Sequence, residues 1–155
     1  MNALRRNVLK GAAGAGTVAV AVAAGLLKPT QAMAAWNSAA FDAKNVGDAM
    51  KGLGVSGPAD SKDIVIKAPD IAENGAVVPV EVTSGIAGTT SIALFAEKNA
   101  TPLVGDYTLS GGTQGFISTR IKMGQTALVR AVVTAGGKSY TAAKEVKVTI
   151  GGCGG

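Results

Sequence analysis

The sequence contains no histidine and a single cysteine, Cys153, the third residue from the C-terminus. The absence of histidine excludes a histidine-based catalytic triad and a histidine-ligated metal site. One cysteine cannot form an internal disulfide or a zinc knuckle. Aromatic residues make up only 4% of the chain, which argues against a base-stacking platform for nucleic acid. Charged residues are also few, at 16%, but 47% hydrophobic content is too high for a disordered chain.

The formal net charge of +5 is concentrated near the N-terminus. Residues 1–34 contain four of the 15 Lys and Arg residues and no acid, so residues 35–155 hold 11 basic residues against 10 acidic ones. A body this close to neutral lacks the electrostatic footprint that nucleic acid or an anionic membrane requires.

The first 34 residues have the pattern of an export signal. Arg5 and Arg6 belong to a charged segment, and 17 uncharged residues rich in Ala, Val and Gly follow at 11–27. Ala32 and Ala34 place small residues at both recognition positions of a cleavage site. We therefore predict a twin-arginine (Tat) signal peptide over residues 1–34, cleavage after Ala34 and a periplasmic protein. An N-terminal membrane anchor is the alternative, which the short, glycine-rich run disfavours.

Residues 35–150 predict one domain with a helix followed by strands. Apolar residues spaced by three and four predict a helix over residues 38–53, with Ser38 as its N-cap and Gly52 and Gly54 at its end. Alternating apolar residues then predict seven strands, at residues 62–68, 76–83, 90–97, 103–109, 116–122, 125–134 and 138–150. This pattern predicts an all-β fold, an immunoglobulin-like antiparallel β-sandwich with a short N-terminal helix.

Glycine pairs and a proline mark the turns and edges of this sandwich. Gly136-Gly137 predicts a tight hairpin, and Asn74-Gly75 and Gly111-Gly112 predict further turns. Pro79 predicts an edge position or a bulge, because proline cannot donate a hydrogen bond to a β-ladder.

The last five residues place Cys153 between two pairs of glycines, Gly151, Gly152, Gly154 and Gly155. Four glycines predict a flexible arm that, fully extended, reaches roughly 17 Å. The thiol has no neighbouring base, so we expect its pKa near the free value of about 8.5, and its activation must come from an enzyme that the arm enters. This pattern fits a carrier arm. A tail with an incidental cysteine and an intermolecular disulfide are the alternatives, and a metal site at one thiol is disfavoured.

Together with this tail, four internal stretches resemble the SoxY family, the sulfur-carrier subunits of the bacterial thiosulfate-oxidising Sox system. The resemblance covers essentially all of residues 36–155, and its stretches are residues 68–80, 97–102, 118–123 and 144–149.

The resemblance implies a non-catalytic carrier without a cofactor of its own. Cys153 would hold the sulfur intermediates, as an S-thiosulfonate and then a persulfide. The implied partners are SoxZ, in a heterodimer, and transiently the haem-containing SoxAX cytochrome, the dimanganese hydrolase SoxB and, where present, SoxCD.

Two further points stay open at the level of sequence. Glu97, Lys98, Arg120 and Lys122 would form a partner-docking or anion-attracting surface, or only a solvated strand face. The alternative function is an exported structural β-sandwich whose Cys153 forms an intermolecular disulfide. A cytosolic-type sulfur donor that uses the terminal carboxylate is disfavoured by the leader and by the strand-rich body.

Overall fold

The computed structural model describes residues 37–149; the predicted signal peptide and residues 150–155, including Cys153, lie outside the described residues. Within that range the chain forms two short helices and nine strands. The helices are α1 (Ser38–Phe41) and α2 (Val46–Gly52). The strands are β1 (Ala59–Asp60), β2 (Ile64–Lys67), β3 (Ile71–Ala72), β4 (Val78–Ser84), β5 (Thr89–Ala96), β6 (Leu103–Thr108), β7 (Gly115–Ile121), β8 (Ala127–Ala135) and β9 (Lys138–Val148).

The strands form two sheets. The larger has the order β1-β9-β8-β5-β6, with β3 also paired to β9, and the smaller has the order β2-β4-β7. All seven predicted strands are present in this all-β fold. The two short strands β1 and β3 were not predicted, and both pair in parallel with β9. Each has two residues and depends on a distant partner, so neither leaves a local period in the sequence.

The core lies between the two sheets and follows from alternation along the strands. Val78, Val80 and Val82 of β4 are buried, whereas the residues between them are not. The buried side chains on the inner face of β5 and β8 meet them from the larger sheet in one cluster. Burial of a valine side chain contributes roughly 1.5–3 kcal/mol, so this shared apolar layer holds the two sheets together.

The single helix predicted over residues 38–53 is wrong, because the chain breaks it into α1 and α2. Asn45 lies in extended backbone at the break, and its side-chain Oδ1 accepts a hydrogen bond from the amide of Asp48 at 2.8 Å. A cap of this kind competes with continuation of the helix. The predicted N-cap Ser38 is also wrong, since Asn37 caps α1 through the amide of Ala40.

The helices cover part of the outer face of the larger sheet. Ala40 and Ala49 are fully buried against Phe95 and Val132, in a second apolar cluster. Of the apolar residues whose spacing predicted a helix, Ala39 is exposed, and the others pack beside these two alanines: Ala43, Val46, Met50 and Leu53. No helix within residues 37–149 is long and apolar enough to cross a membrane.

The predicted turns are confirmed. Gly136 and Gly137 both have positive φ, at 56° and 75°, and join β8 directly to β9 in a two-residue hairpin.

Pro79 pairs only with β7, because the ladder between β2 and β4 ends at the pair Lys67 and Glu81. Proline therefore sits where β4 has a neighbour on one side only, as predicted.

We expect Asn45→Ala to lower the free energy of unfolding by about 1 kcal/mol, because the amide of Asp48 loses its capping acceptor. A shift of the urea midpoint measures this loss. The matched control is Ser38→Ala, which should leave the midpoint unchanged because Ser38 caps no helix. Equal losses in the two variants would contradict the assignment of the caps.

Candidate functional site

The segment that enters the cysteine-bearing tail is held along one edge by β3. We call Lys147, Val148 and Thr149 the tail root, since they are the last described residues before that tail. The amide of Lys147 donates to the carbonyl of Asp70 at 3.0 Å, and the amide of Thr149 donates to the carbonyl of Ala72 at 3.1 Å. These two bonds fix one side of the tail root.

Lys144 reinforces the attachment of β3. Its Nζ donates to the carbonyl of Ala68 at 2.6 Å and lies 3.0 Å from Oδ1 of Asp70. The Asp70 side chain is 89% exposed, so the bond to the Ala68 carbonyl matters more than the ion pair. Lys144 thus anchors the stretch that leads into β3.

The opposite edge of the tail root is held by a single side chain. The amide of Val148 donates to Oγ1 of Thr126 at 2.9 Å. The tail root is therefore bonded on both edges, and its last bonded residue lies only four positions before Cys153. No sequence pattern indicated Thr126 or β3, because both act through contacts with a distant strand.

Three loops are joined to one another beside the tail root, and we call them the root loops: residues 73–77, 97–102 and 122–126. The amide of Met123 donates to the carbonyl of Gly75 at 2.7 Å. The side chain of Asn99 donates to the carbonyl of Lys122 at 2.7 Å and accepts from the amide of Gly124 at 3.2 Å. These bonds join the three loops into one surface. Every internal stretch that carried the SoxY resemblance contributes residues to the root loops or to the tail root.

Gly75 is required where the first root loop meets the tail root. A Cβ at this position would collide with the carbonyl oxygen of Met123 and would lie 2.8 Å from Cγ1 of Val148. Asn74 closes the turn, because its Oδ1 accepts from the amide of Ala76 at 2.9 Å. The predicted Asn74-Gly75 turn is thus confirmed, and it also shapes the tail root.

The four charged residues proposed as one surface do not lie together. Glu97 pairs with Nε of Arg130 at 2.7 Å, and both side chains are about three-quarters buried. Arg120 lies on β7 opposite Pro79, in the smaller sheet. Only Lys98 and Lys122 are brought together, in the lining of a pocket of about 290 Å³ between two root loops.

A second, smaller pocket of about 130 Å³ lies beside the end of α2. Half of its lining residues are apolar, and the polar ones are Asp106, Ser91, Thr108 and Thr134. Partial burial raises the pKa of the Asp106 carboxyl. Within residues 37–149, no three His, Cys, Asp or Glu side chains are grouped so that they could hold a metal ion.

The comparisons with known proteins agree with this fold. The sequence profile of the family described as "Sulfur oxidation protein SoxY" matches residues 50–153, a range that includes the cysteine. The chain therefore belongs to the SoxY family. Among curated protein sequences, the search found no match.

Solved structures include a close relative and distant ones. The sulfur carrier protein SoxY from Chlorobium limicola f. thiosulfatophilum is 43% identical, with a TM-score of 0.63, over 68% of this chain and 97% of that one. A single-residue variant of superoxide reductase (neelaredoxin) from Ignicoccus hospitalis is 18% identical, with a TM-score of 0.50, over 59% of this chain and 83% of that one. The second likeness concerns the fold alone.

We expect Gly75→Ala to lower the free energy of unfolding by roughly 1–3 kcal/mol, because the new methyl group has no room between Met123 and Val148. Hydrogen exchange at the amides of Val148 and Thr149 should accelerate in this variant, since the tail root shifts. Gly124→Ala is the matched control, because a Cβ there meets no atom within 4 Å. Unchanged exchange in Gly75→Ala would show that this glycine does not shape the tail root.

Proposed function

We propose that this protein is a periplasmic, covalent sulfur carrier that holds thiosulfate-derived intermediates on Cys153 and presents them to Sox enzymes. Membership of the SoxY family supports this role, as does the likeness to a sulfur carrier protein at 43% identity. The twin-arginine pattern at Arg5 and Arg6 supports export across the membrane.

The observation that carries the proposal is the abrupt change at the tail root. Thr149 is still bonded to Ala72, and two residues later the glycines begin. Glycine has more backbone freedom than any other residue, so Gly151, Gly152, Gly154 and Gly155 suit a swinging arm. From Thr149, Cys153 can reach at most about 14 Å. The sandwich then serves as a rigid support, and the arm enters buried sites of the Sox enzymes that the sandwich cannot enter.

The chemistry of a carrier needs a thiol that is idle between enzymes. Loading joins thiosulfate to the thiol of Cys153 and forms a cysteine S-thiosulfonate, one proton and two electrons, which the SoxAX cytochrome accepts. Hydrolysis by SoxB then adds water, releases sulfate and a proton, and leaves a persulfide. Cys153 has no Lys or Arg beside it in the sequence, so its reactivity comes from these enzymes and not from the carrier.

Partners follow from the same proposal. A SoxZ subunit without its own leader would be exported with this chain as a folded heterodimer, which is the case that Tat export serves. SoxAX, SoxB and, where present, SoxCD would bind only transiently, because ordering a glycine-rich arm opposes tight binding. The carrier itself would hold no cofactor.

The test is the intact mass of the protein isolated from periplasm, with and without thiosulfate. We expect thiosulfate-dependent adducts of thiosulfonate or sulfane mass that map to Cys153 and are lost on reduction. Cys153→Ser should abolish them completely and leave the unfolding transition unchanged, because both apolar clusters of the described domain are formed by residues between 40 and 148. The measured mass also tests cleavage after Ala34.

Adducts that persist in Cys153→Ser would contradict the proposal. A disulfide-linked dimer as the only modified species, in both conditions, would favour the alternative of an exported structural module. In Lys138→Gln, a surface substitution at the start of β9 that keeps the thiol and all four tail glycines, we expect adducts to form still, so this variant controls for the effect of substitution itself.

A further inference from the structure

Lys98 and Lys122 line one pocket, and nothing described neutralises them. Neither ammonium has an ion-pair partner among residues 37–149, and both side chains are exposed. No acid contributes to the pocket, whose other lining residues are Asn99, Ala100, Thr101 and Gly124. Two unpaired cations at one concave site favour an anion there.

The pocket is formed before any ligand enters it. Asn99 bridges its two walls, donating to the carbonyl of Lys122 and accepting from the amide of Gly124. Nε2 of Gln125 donates to the carbonyl of Lys98 at 3.3 Å and adds a second bridge. The backbones of the two lysine-bearing loops are therefore already joined, which lowers the entropic cost of binding.

The pocket lies within reach of the tail. Thr126 accepts a hydrogen bond from Val148 and is two residues beyond Gly124. These steps place Gly124 within roughly 13 Å of Val148, whereas Cys153, five residues beyond Val148, can extend roughly 17 Å from it. The opposite end of the sandwich is out of reach, because Lys138 at the start of β9 lies about 33 Å from Val148.

We propose that this pocket is an anion site that holds the sulfonate end of the cargo on the chain's own arm between enzyme visits. The inference rests on the carrier role of Cys153 proposed above. An S-thiosulfonate carries a full negative charge, whereas a free thiol with a pKa near about 8.5 is mostly neutral at pH 7. The pocket thus distinguishes a loaded arm from an empty one.

Tethering makes a weak site sufficient. A short flexible linker gives an effective concentration on the order of millimolar. A site that binds the free anion with millimolar affinity is then about half occupied by the tethered one. Such a site shelters the cargo and still releases it to an enzyme without a large barrier.

The loaded state can be made without any Sox enzyme. The thiolate of Cys153 attacks a central sulfur of tetrathionate, which breaks the central S–S bond, forms the cysteine S-thiosulfonate and expels thiosulfate. Methyl methanethiosulfonate gives a neutral S-methyl disulfide on the same atom and expels methanesulfinate, so it is the uncharged comparator. Intact mass verifies each adduct.

The sample is the ¹⁵N-labelled protein, kept with any subunit that copurifies with it. The readout is the amide chemical shifts of the labelled protein. Loading with tetrathionate should change the amide chemical shifts of Lys98, Thr101 and Gly124, whereas the methyl disulfide adduct should leave them unchanged. The double variant Lys98→Gln/Lys122→Gln should reduce these shifts at least threefold. Lys138→Gln, which removes a lysine at the far end, should keep them.

A second pair of variants tests the site through charge alone. A side chain at Gly124 meets open space, so both Gly124→Glu and Gly124→Gln are expected to fold. Only Gly124→Glu places a like charge against the sulfonate, and it should abolish the shifts that Gly124→Gln retains. Added salt should weaken the shifts, because exposed charges are screened.

Unmoved amides in a protein whose thiosulfonate adduct is verified by mass would overturn this proposal and leave the carrier role intact. Equal shifts with the neutral adduct would also overturn it, because charge would then play no part. Shifts that grow with protein concentration would place the arm in a second copy, which contradicts an intramolecular site. Failure of the carrier role itself is seen separately, as absence of thiosulfate-dependent adducts in periplasm.

Discussion

The bonding of Val148 and Thr149 on both edges is the constraint on which the rest of the structure depends. The arm proposed above is useful only if its origin does not move with it, and a chain terminus frays unless other residues hold it. Here Thr126 bonds one edge of the terminal strand and β3 bonds the other. The bonded part of the terminal strand therefore reaches Thr149, two residues before the first glycine of the tail.

This constraint also explains two features that look unrelated to it. The two-residue strand β3 is too short to be stable alone, but it supplies the carbonyl that accepts from Thr149. Gly75 leaves room for Val148 where any other residue would displace it. Both features serve the position of the tail root more than the stability of the core, which is built by β4, β5 and β8.

Much of the fold was predictable because most strands have apolar residues that alternate along a short stretch of sequence. The seven longer strands follow from alternation, and the hairpin follows from two adjacent glycines that accept positive φ. The predictions that were wrong or missing concern side-chain caps and distant pairings. The side chains of Asn37 and Asn45 cap two separate helices where the spacing of apolar residues predicted one, and β1 and β3 exist only because they pair with β9.

The same distinction holds for the site. Cys153 and its glycines are conspicuous in the sequence and stay a prediction, whereas Thr126 and Asn99 act through partners 22 to 25 residues away and leave no local signal. The charged group proposed from sequence also divides in three dimensions. Glu97 forms an ion pair with Arg130, and Arg120 lies in the smaller sheet. Lys98 and Lys122 line the same pocket. Sequence shows which charges exist, and only the fold shows which of them are left unpaired.

In the proposed carrier, the domain positions the thiol, and the enzymes that it visits supply the reactivity. No base neighbours the thiol in the sequence, and Lys98 and Lys122 line a pocket that a neutral thiol has no reason to enter. An activated thiol on a long reach would react with any oxidant in an exported environment, whereas an unactivated one waits for an enzyme. A carrier therefore gains from a rigid root, a thin arm and an unreactive sulfur, and it leaves catalysis to the proteins it visits.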